Sequence, residues 1–315
     1  MTILFKMFLT ASPLLLFMSG SAFSQKVLTS PVNVEREDGS AVVYYLELRN
    51  QLNHSENLFL FLQGSDCNSV RNVPALDVIK PVYPEADILT VEKYGITDTL
   101  PYSMEIRDSL PPGYARFDTP KQRVSDAVKV IEALKKKYGY EKILVFGGSE
   151  GATVAYMLAS ECDNIMATIA IGGGGRFFIE DVIQTIRESD LLPEEKEKEE
   201  EEFRQFAQYV LSHDDLDFTM SEHGFKYWKA MLSLDQLEIV GGIDTPVLIM
   251  QGGKDTSASP EETTNMVNEL KHEGKDNIDY YFYPEYDHSL NLWNEDNAEE
   301  VIADIRRWLL DKTGQ

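Results

Sequence analysis

A serine hydroxyl becomes a nucleophile when it is lifted clear of its surroundings and given a base. One pentapeptide of this chain is suited to the first task. Gly147-Gly148-Ser149-Glu150-Gly151 lies between the apolar run Ile143-Leu144-Val145-Phe146 and a helix-like stretch beginning at Ala152. In a strand–turn–helix setting, a G-x-S-x-G string holds its serine on a tight turn with the hydroxyl pushed clear of the sheet. Glycines two before and two after the serine are needed because any larger side chain would collide across the bend. Ser149 is the candidate nucleophile.

Such a hydroxyl needs a base within hydrogen-bond reach, and the chain offers five histidines. His54 sits in a polar loop, His272 at a helix end, and His213 and His223 in a helical insertion. His288 differs because it follows the last apolar strand, in the loop Pro284-Glu285-Tyr286-Asp287-His288-Ser289. That loop belongs at the same sheet edge as the serine turn. The base in turn needs an acid to hold its tautomer and stabilise the imidazolium. Val247-Leu248-Ile249-Met250-Gln251-Gly252-Gly253-Lys254-Asp255 reads as strand, glycine turn, then acid. Asp255 is therefore expected to orient His288. Asp287 is a rival, poorly placed because it adjoins the histidine, and Glu285 is a weaker one. A developing oxyanion would be held by backbone N–H groups: that of Glu150, after the nucleophile, and one from the loop Gln63-Gly64-Ser65-Asp66. Ser65 is the first choice there and Asp66 the second.

The elements that must bring these residues together alternate strand and helix, the pattern of a mostly parallel sheet covered on both faces. Residues 26–36 and 41–49 read as an antiparallel hairpin turning at Glu37-Asp38-Gly39-Ser40. Residues 57–63, 86–92, 142–146, 164–171, 246–251 and 278–283 read as the remaining strands. Thr119-Pro120-Lys121-Gln122 offers a helix cap, a proline in the first turn and a capping-box glutamine. Ser259-Pro260-Glu261-Glu262 opens a second helix in the same way. Between about 176 and 243 the alternation stops, and the chain reads as helices without strands, a cap over the serine. Glu199 to Glu202 are expected on a solvated helix face. Gly172-Gly173-Gly174-Gly175 precedes the cap and is expected to be its hinge rather than a wall against which substrate lies.

In this order the motifs resemble those of the α/β-hydrolase superfamily, and the likeness covers nearly everything after residue 30. The elbow itself is similar to those of the dienelactone-hydrolase and prolyl-oligopeptidase-like branches. The resemblance implies an eight-stranded α/β fold with a helical cap, and a hydrolase without metal or organic cofactor. Gln63-Gly64 stands where the family carries His-Gly before the oxyanion residue. Both branches are implied as sources of function, a carboxylic esterase or a serine peptidase. A peptidase taking free amino termini would need carboxylates to hold the ammonium, for which Asp214, Asp215 and Glu222 are available.

Composition bounds the rest. The 315 residues are 43% hydrophobic with a formal net charge of −24, so nucleic acid and anionic membranes should repel the chain. Small-molecule esters or peptides are the expected partners. Residues 1–24 read as a signal peptide: Lys6, an apolar core from Met7 to Met18, then Ala22 and Ser24 at a small-x-small site before Gln25. The apolar core is too short to span a bilayer, which takes about 20 residues, so an exported protein, periplasmic or secreted, is expected. Cys67 and Cys162 are expected to be free thiols, because a helix of about 18 Å would separate them whereas bridged Cα atoms lie within about 7 Å.

Overall fold

Leu58-Phe59-Leu60-Phe61-Leu62 is apolar at every position, as a strand covered on both faces must be, and all five residues are buried. The computed structural model describes residues 26–50 and 54–314; the expected signal peptide and its cleavage point lie outside them. Strands β1 (Lys26–Thr29), β2 (Tyr44–Leu48), β3 (Asn57–Leu62) and β4 (Asp87–Val91) are followed by β5 (Lys142–Gly148) and β6 (Ile165–Ile171). Two two-residue strands, β7 (Thr219–Met220) and β8 (His223–Gly224), precede β9 (Val247–Gly252) and β10 (Ile278–Tyr283). Eight of these form one sheet in the order β1-β2-β4-β3-β5-β6-β9-β10, and every pairing from β4 to β10 is parallel. The fold is that of the α/β-hydrolases, with helices on both faces.

The first hairpin turns where expected, the Arg36 N–H bonding the Ser40 carbonyl at 2.8 Å with Gly39 at φ 81°. Its first strand is shorter than expected. Ser30 adopts φ 39° and Pro31 has no N–H to give a ladder, so the strand stops at Thr29.

The helices are α1 (Ala75–Ile79), α2 (Tyr114–Phe117), α3 (Pro120–Tyr138), α4 (Glu150–Glu161), α5 (Phe178–Glu188), α6 (Pro193–Ser212), α7 (Phe225–Ser233), α8 (Gln236–Gly241), α9 (Pro260–His272) and α10 (Glu295–Thr313). Thr119 caps α3 through the Gln122 N–H and Gly139 closes it in the left-handed region. The Gln122 side chain does not reach back to complete a capping box. It turns instead to Asp126, which also binds Arg36. Ser259 caps α9 as expected.

Between β6 and β9 the chain departs from the sequence reading in two ways. The stretch is not free of strands, because β7 and β8 form a small hairpin whose turn residues, Ser221 and Glu222, sit at φ 50° and 69°. Neither is glycine, so no sequence signal marks the turn. Nor does all of it stand over the serine. Helices α5, α6 and α7 share a separate apolar core built on Ile183, Phe203 and Trp228, whereas Leu237 and Val240 of α8 join Ala152 and Tyr156 of α4 against the sheet. Glu199 is also buried at 8% exposure, the exception in an otherwise solvated acidic run. Cys67 and Cys162 are both free, one beyond β3 and the other at the end of α4.

Candidate active site

Parallel pairing puts the carboxyl ends of β3, β5, β6, β9 and β10 at one edge, and every expected site residue follows one of those ends. Ser149 sits between β5 and α4 at φ 54°, ψ −127°, a conformation costing about 1–3 kcal/mol that persists only when its surroundings over-determine it. They do. The Ser149 N–H bonds the Ile171 carbonyl at 2.8 Å. A Cβ on Gly147 would collide with the Gly151 carbonyl, and one on Gly151 with the carbonyls of Leu62 and Gln63. The two outer glycines let β3, the elbow and α4 pack backbone to backbone. Gly148, between them, has open space around it.

Asp255 and His288 meet by the same device. A Cβ on Gly252 would strike the Tyr286 and Asp287 carbonyls, and one on Gly253 would lie 2.5 Å from that of Pro284. The loops after β9 and β10 can therefore cross in contact, tied by Gly253 N–H to the Tyr283 carbonyl at 2.7 Å and Lys254 N–H to that of Tyr286 at 2.9 Å. The His288 Nδ1–H then donates to Asp255 Oδ2 at 2.8 Å. The carboxylate also accepts from the Gln251 amide and from the N–H groups of Ser257 and Ala258, each at 2.8 Å. Burial pushes the Asp255 carboxyl up, but His288 and these donors outweigh it and hold it below its usual range. Burial likewise pulls the His288 ring down, and the Asp255 charge overcomes that to raise it above 6.5. With Nδ1 committed to Asp255, the ring's Nε2 is left to exchange a proton.

The rivals for the acid are accounted for locally. Asp287 accepts from the N–H groups of Ser289 and Asn291 within its own turn, and Glu285 pairs with Lys254 at the surface. Ser149 and His288 line one pocket of about 330 Å³ together with Gly64, Ser65, Asp66 and Glu150. Among the described residues no hydrogen bond joins the Ser149 hydroxyl to the His288 ring. Such bonds commonly tighten only when substrate arrives. The cap adds Phe178, Tyr227, Trp228 and Met231 to the lining of the same pocket, so several aromatics of the cap core also face the pocket. Of the three carboxylates considered for an ammonium, Glu222 lines the pocket. Asp214 and Asp215 are exposed, Asp214 pairing with Lys229.

Gly172 to Gly175 are packed rather than free to swing. A Cβ on Gly172 would come within 3.0 Å of the His288 ring, and one on Gly173 within 2.8 Å of the Ala152 methyl. The Gln236 amide ties the Gly173 carbonyl at 3.1 Å, while its oxygen accepts from Thr153 at 2.9 Å. Gly172 and Gly173 line the pocket, so the hinge expectation gives way to a wall. Close approach, with a left-handed backbone at Gly172 and Gly174, accounts for glycine there.

Sequence reasoning missed a set of buried groups around the elbow. Glu150 is 5% exposed and binds Arg123, Nη1 to Oε1 at 2.6 Å. Burial pushes its carboxyl up, but Arg123 and Lys93 outweigh this and hold it ionised. Asp181, hydrogen-bonded by the Ser259 N–H at 2.8 Å, is pushed up to about 7 by burial. His223 is pushed down to about 3 by burial and is neutral.

The profile of the prolyl oligopeptidase family matches residues 114–315, more than half of the chain. The chain belongs to that family. It is a serine hydrolase. No curated protein matches its sequence. Among solved structures, this family member is similar to an esterase of Pyrococcus furiosus, Pf2001 (TM-score 0.62, 16% identity, 92% of each chain covered). It is similar to Est1E from Butyrivibrio proteoclasticus (0.60, 16%, 90% of this chain and 99% of that one). It also matches the acylaminoacyl peptidase of Pyrococcus horikoshii (0.61, 12%, 91% of this chain but 42% of that one). At these identities the likeness is one of fold.

Proposed function

We propose that this protein hydrolyses carboxylic esters through an acyl-enzyme on Ser149. The observation carrying this reading is the Asp255–His288 hydrogen bond of 2.8 Å at the wall of the pocket that holds the strained Ser149. The Ser149 oxygen attacks the acyl carbon while its proton passes to His288 Nε2. The N–H groups of Glu150 and Ser65 hold the carbonyl oxygen as it becomes negative. The ester C–O bond breaks as His288 returns the proton to the leaving alkoxide, releasing the alcohol. Water, deprotonated in turn by His288, then attacks the acyl carbon; the bond from that carbon to the Ser149 oxygen breaks as His288 returns the proton to it, freeing the acid. Asp255 remains ionised, orienting the ring and stabilising the imidazolium.

An ester is favoured because the cap's part of the pocket lining includes Phe178, Trp228 and Met231, available to an acyl or alcohol group. The esterases among the structural neighbours point the same way. One observation favours a peptidase: Glu222, 8% exposed, lines the same pocket and suits a substrate ammonium. The acylaminoacyl peptidase among the neighbours agrees with that alternative. Export is part of the proposal, on the strength of the amino-terminal leader pattern, with cleavage between Ser24 and Gln25. Among the described residues no helix is long and apolar enough to cross a membrane.

A fluorophosphonate probe should label the wild type and leave Ser149→Ala unlabelled, with p-nitrophenyl ester turnover in the variant lower by several orders of magnitude. Equal turnover in the two proteins would end the assignment. Parallel assays on short acyl esters and aminoacyl anilides separate the two readings. A preference for anilides that disappears in Glu222→Gln would establish the second.

A further inference from the structure

The loop that follows β3 makes few hydrogen bonds of its own, yet its carbonyls are held one after another by side chains from elsewhere in the chain. Arg123 Nη2 donates to the Gln63 carbonyl at 2.7 Å. The Tyr114 hydroxyl donates to the Ser65 carbonyl at 3.3 Å, and the buried His223 ring lies against the Ser65 backbone. Lys93 Nζ donates to the Asp66 carbonyl at 2.7 Å. Arg123, Tyr114, His223 and Lys93 are all buried, at 7%, 0%, 5% and 2% exposure respectively. Burying two cations to hold backbone oxygens costs several kcal/mol of desolvation for each ion, far more than an ordinary surface loop needs.

The other arm of Arg123 gives this arrangement its point. Its Nη1 holds the Glu150 carboxylate at 2.6 Å, so one guanidinium spans the loop after β3 and the residue after the nucleophile. A trans peptide points its N–H away from its C=O. Holding the Gln63 and Ser65 carbonyls therefore sets the peptide planes that carry the Gly64 and Asp66 N–H groups, and the plane between them, which carries the Ser65 N–H, is bounded on both sides by held planes. We propose that Arg123 is a positioning residue that holds the two halves of the oxyanion hole in register, with Lys93, Tyr114 and His223 fixing the loop half. This rests on the reading of Glu150 and Ser65 as the oxyanion donors. It adds that His223, carried on the β7–β8 hairpin, joins the segment before α7 to the hole itself.

Arg123→Lys tests the idea. It keeps a charge against Glu150, but a single ammonium lacks the planar fork that serves two partners at fixed geometry. On p-nitrophenyl acetate, kcat should fall roughly ten-fold, equivalent to about 1.4 kcal/mol, with KM within about two-fold. Affinity for a boronic acid that forms a tetrahedral adduct on Ser149 should fall in the same ratio. A residue serving stability alone would lower the melting temperature and leave kcat and adduct affinity per folded molecule unchanged, and that result overturns the proposal. If Arg123→Lys does not fold, His223→Leu and His223→Gln replace it. The neutral ring carries no charge to lose, so leucine should slow turnover several-fold and the glutamine amide should recover most of it. Equal kcat in leucine, glutamine and wild type would overturn the proposal as surely. Failure of the probe to label the wild type would overturn the esterase reading and this inference with it. Normal labelling with unchanged kcat in the variants would overturn this inference alone.

Discussion

Replacing Gly151 by alanine tests whether the elbow acts through backbone contact. An added Cβ would lie 2.7 Å from the Gln63 carbonyl oxygen, 0.7 Å inside the 3.4 Å of ordinary contact, and would approach the Leu62 carbonyl more closely still. Neither obstacle is a flexible side chain, so β3 and α4 must part by about 1 Å. That opening falls between Glu150 and Ser65, the two proposed oxyanion donors. Misplacement of about 1 Å at a reacting centre can cost roughly 100-fold in rate, and overpacking a tight site costs about 1–3 kcal/mol of stability. Gly151→Ala should therefore lose roughly 100-fold in kcat on p-nitrophenyl acetate, with KM little changed, and melt several degrees lower. Gly148→Ala is the matched comparison, since nothing lies within 4 Å of its Cβ position; it should keep most of the activity. Gly151→Ala with the turnover and melting temperature of wild type would show that the contact is not needed and the reasoning is wrong.

The rate should depend on pH through His288. In the proposed mechanism its neutral form is the base, and its affinity for protons is raised, so kcat/KM should climb with a midpoint above 6.5. A pH–rate profile of the wild type checks this. Asp255→Asn removes what opposes burial, and should cut kcat about 10⁴-fold while moving the residual activity's midpoint downward. A midpoint that stayed put would show that Asp255 does not face the ring. Asp181 concerns stability instead. Its folded-state pKa, raised from 3.8 to about 7, means that the folded chain holds this proton more tightly than the unfolded one. The resulting stabilisation is full below about pH 4 and is lost as pH rises through about 7. Asp181→Asn keeps an acceptor for the Ser259 N–H and has no charge to bury, so thermal melts should favour the variant more at pH 8.5 than at pH 5. The reverse trend would refute a buried, proton-holding Asp181.

How much of this was legible in the sequence follows from the range of each interaction. The strands could be read because each is a contiguous apolar run, and Ser149, Asp255 and His288 because each follows such a run. The glycines at 147, 151, 252 and 253 could be read as turn formers, though which backbone each one meets could not. The side chains that hold the carbonyls of the loop after β3 left no trace. Arg123 lies 60 positions from Gln63 and 27 from Glu150, and on paper it is one more cation in an amphipathic helix. Gly172 to Gly175 misled because a glycine run looks the same whether it must bend or must let other atoms come close. The β7–β8 hairpin was hidden by its turn, which uses serine and glutamate where glycine would have advertised a left-handed backbone.

The position of the α5–α7 segment has a practical corollary. It leaves the sheet once, after β6, and rejoins it once, at α8, yet contributes aromatic side chains to the pocket that Ser149 lines. A laboratory library confined to the pocket-lining residues of α5 and α7 would leave all three proposed catalytic side chains and both glycine crossings untouched. Selectivity could then be retuned without rebuilding the proposed hydrolytic site, provided the ties of this segment to the rest of the chain, Asp181 to Ser259 and Glu222 to Arg107 among them, are kept.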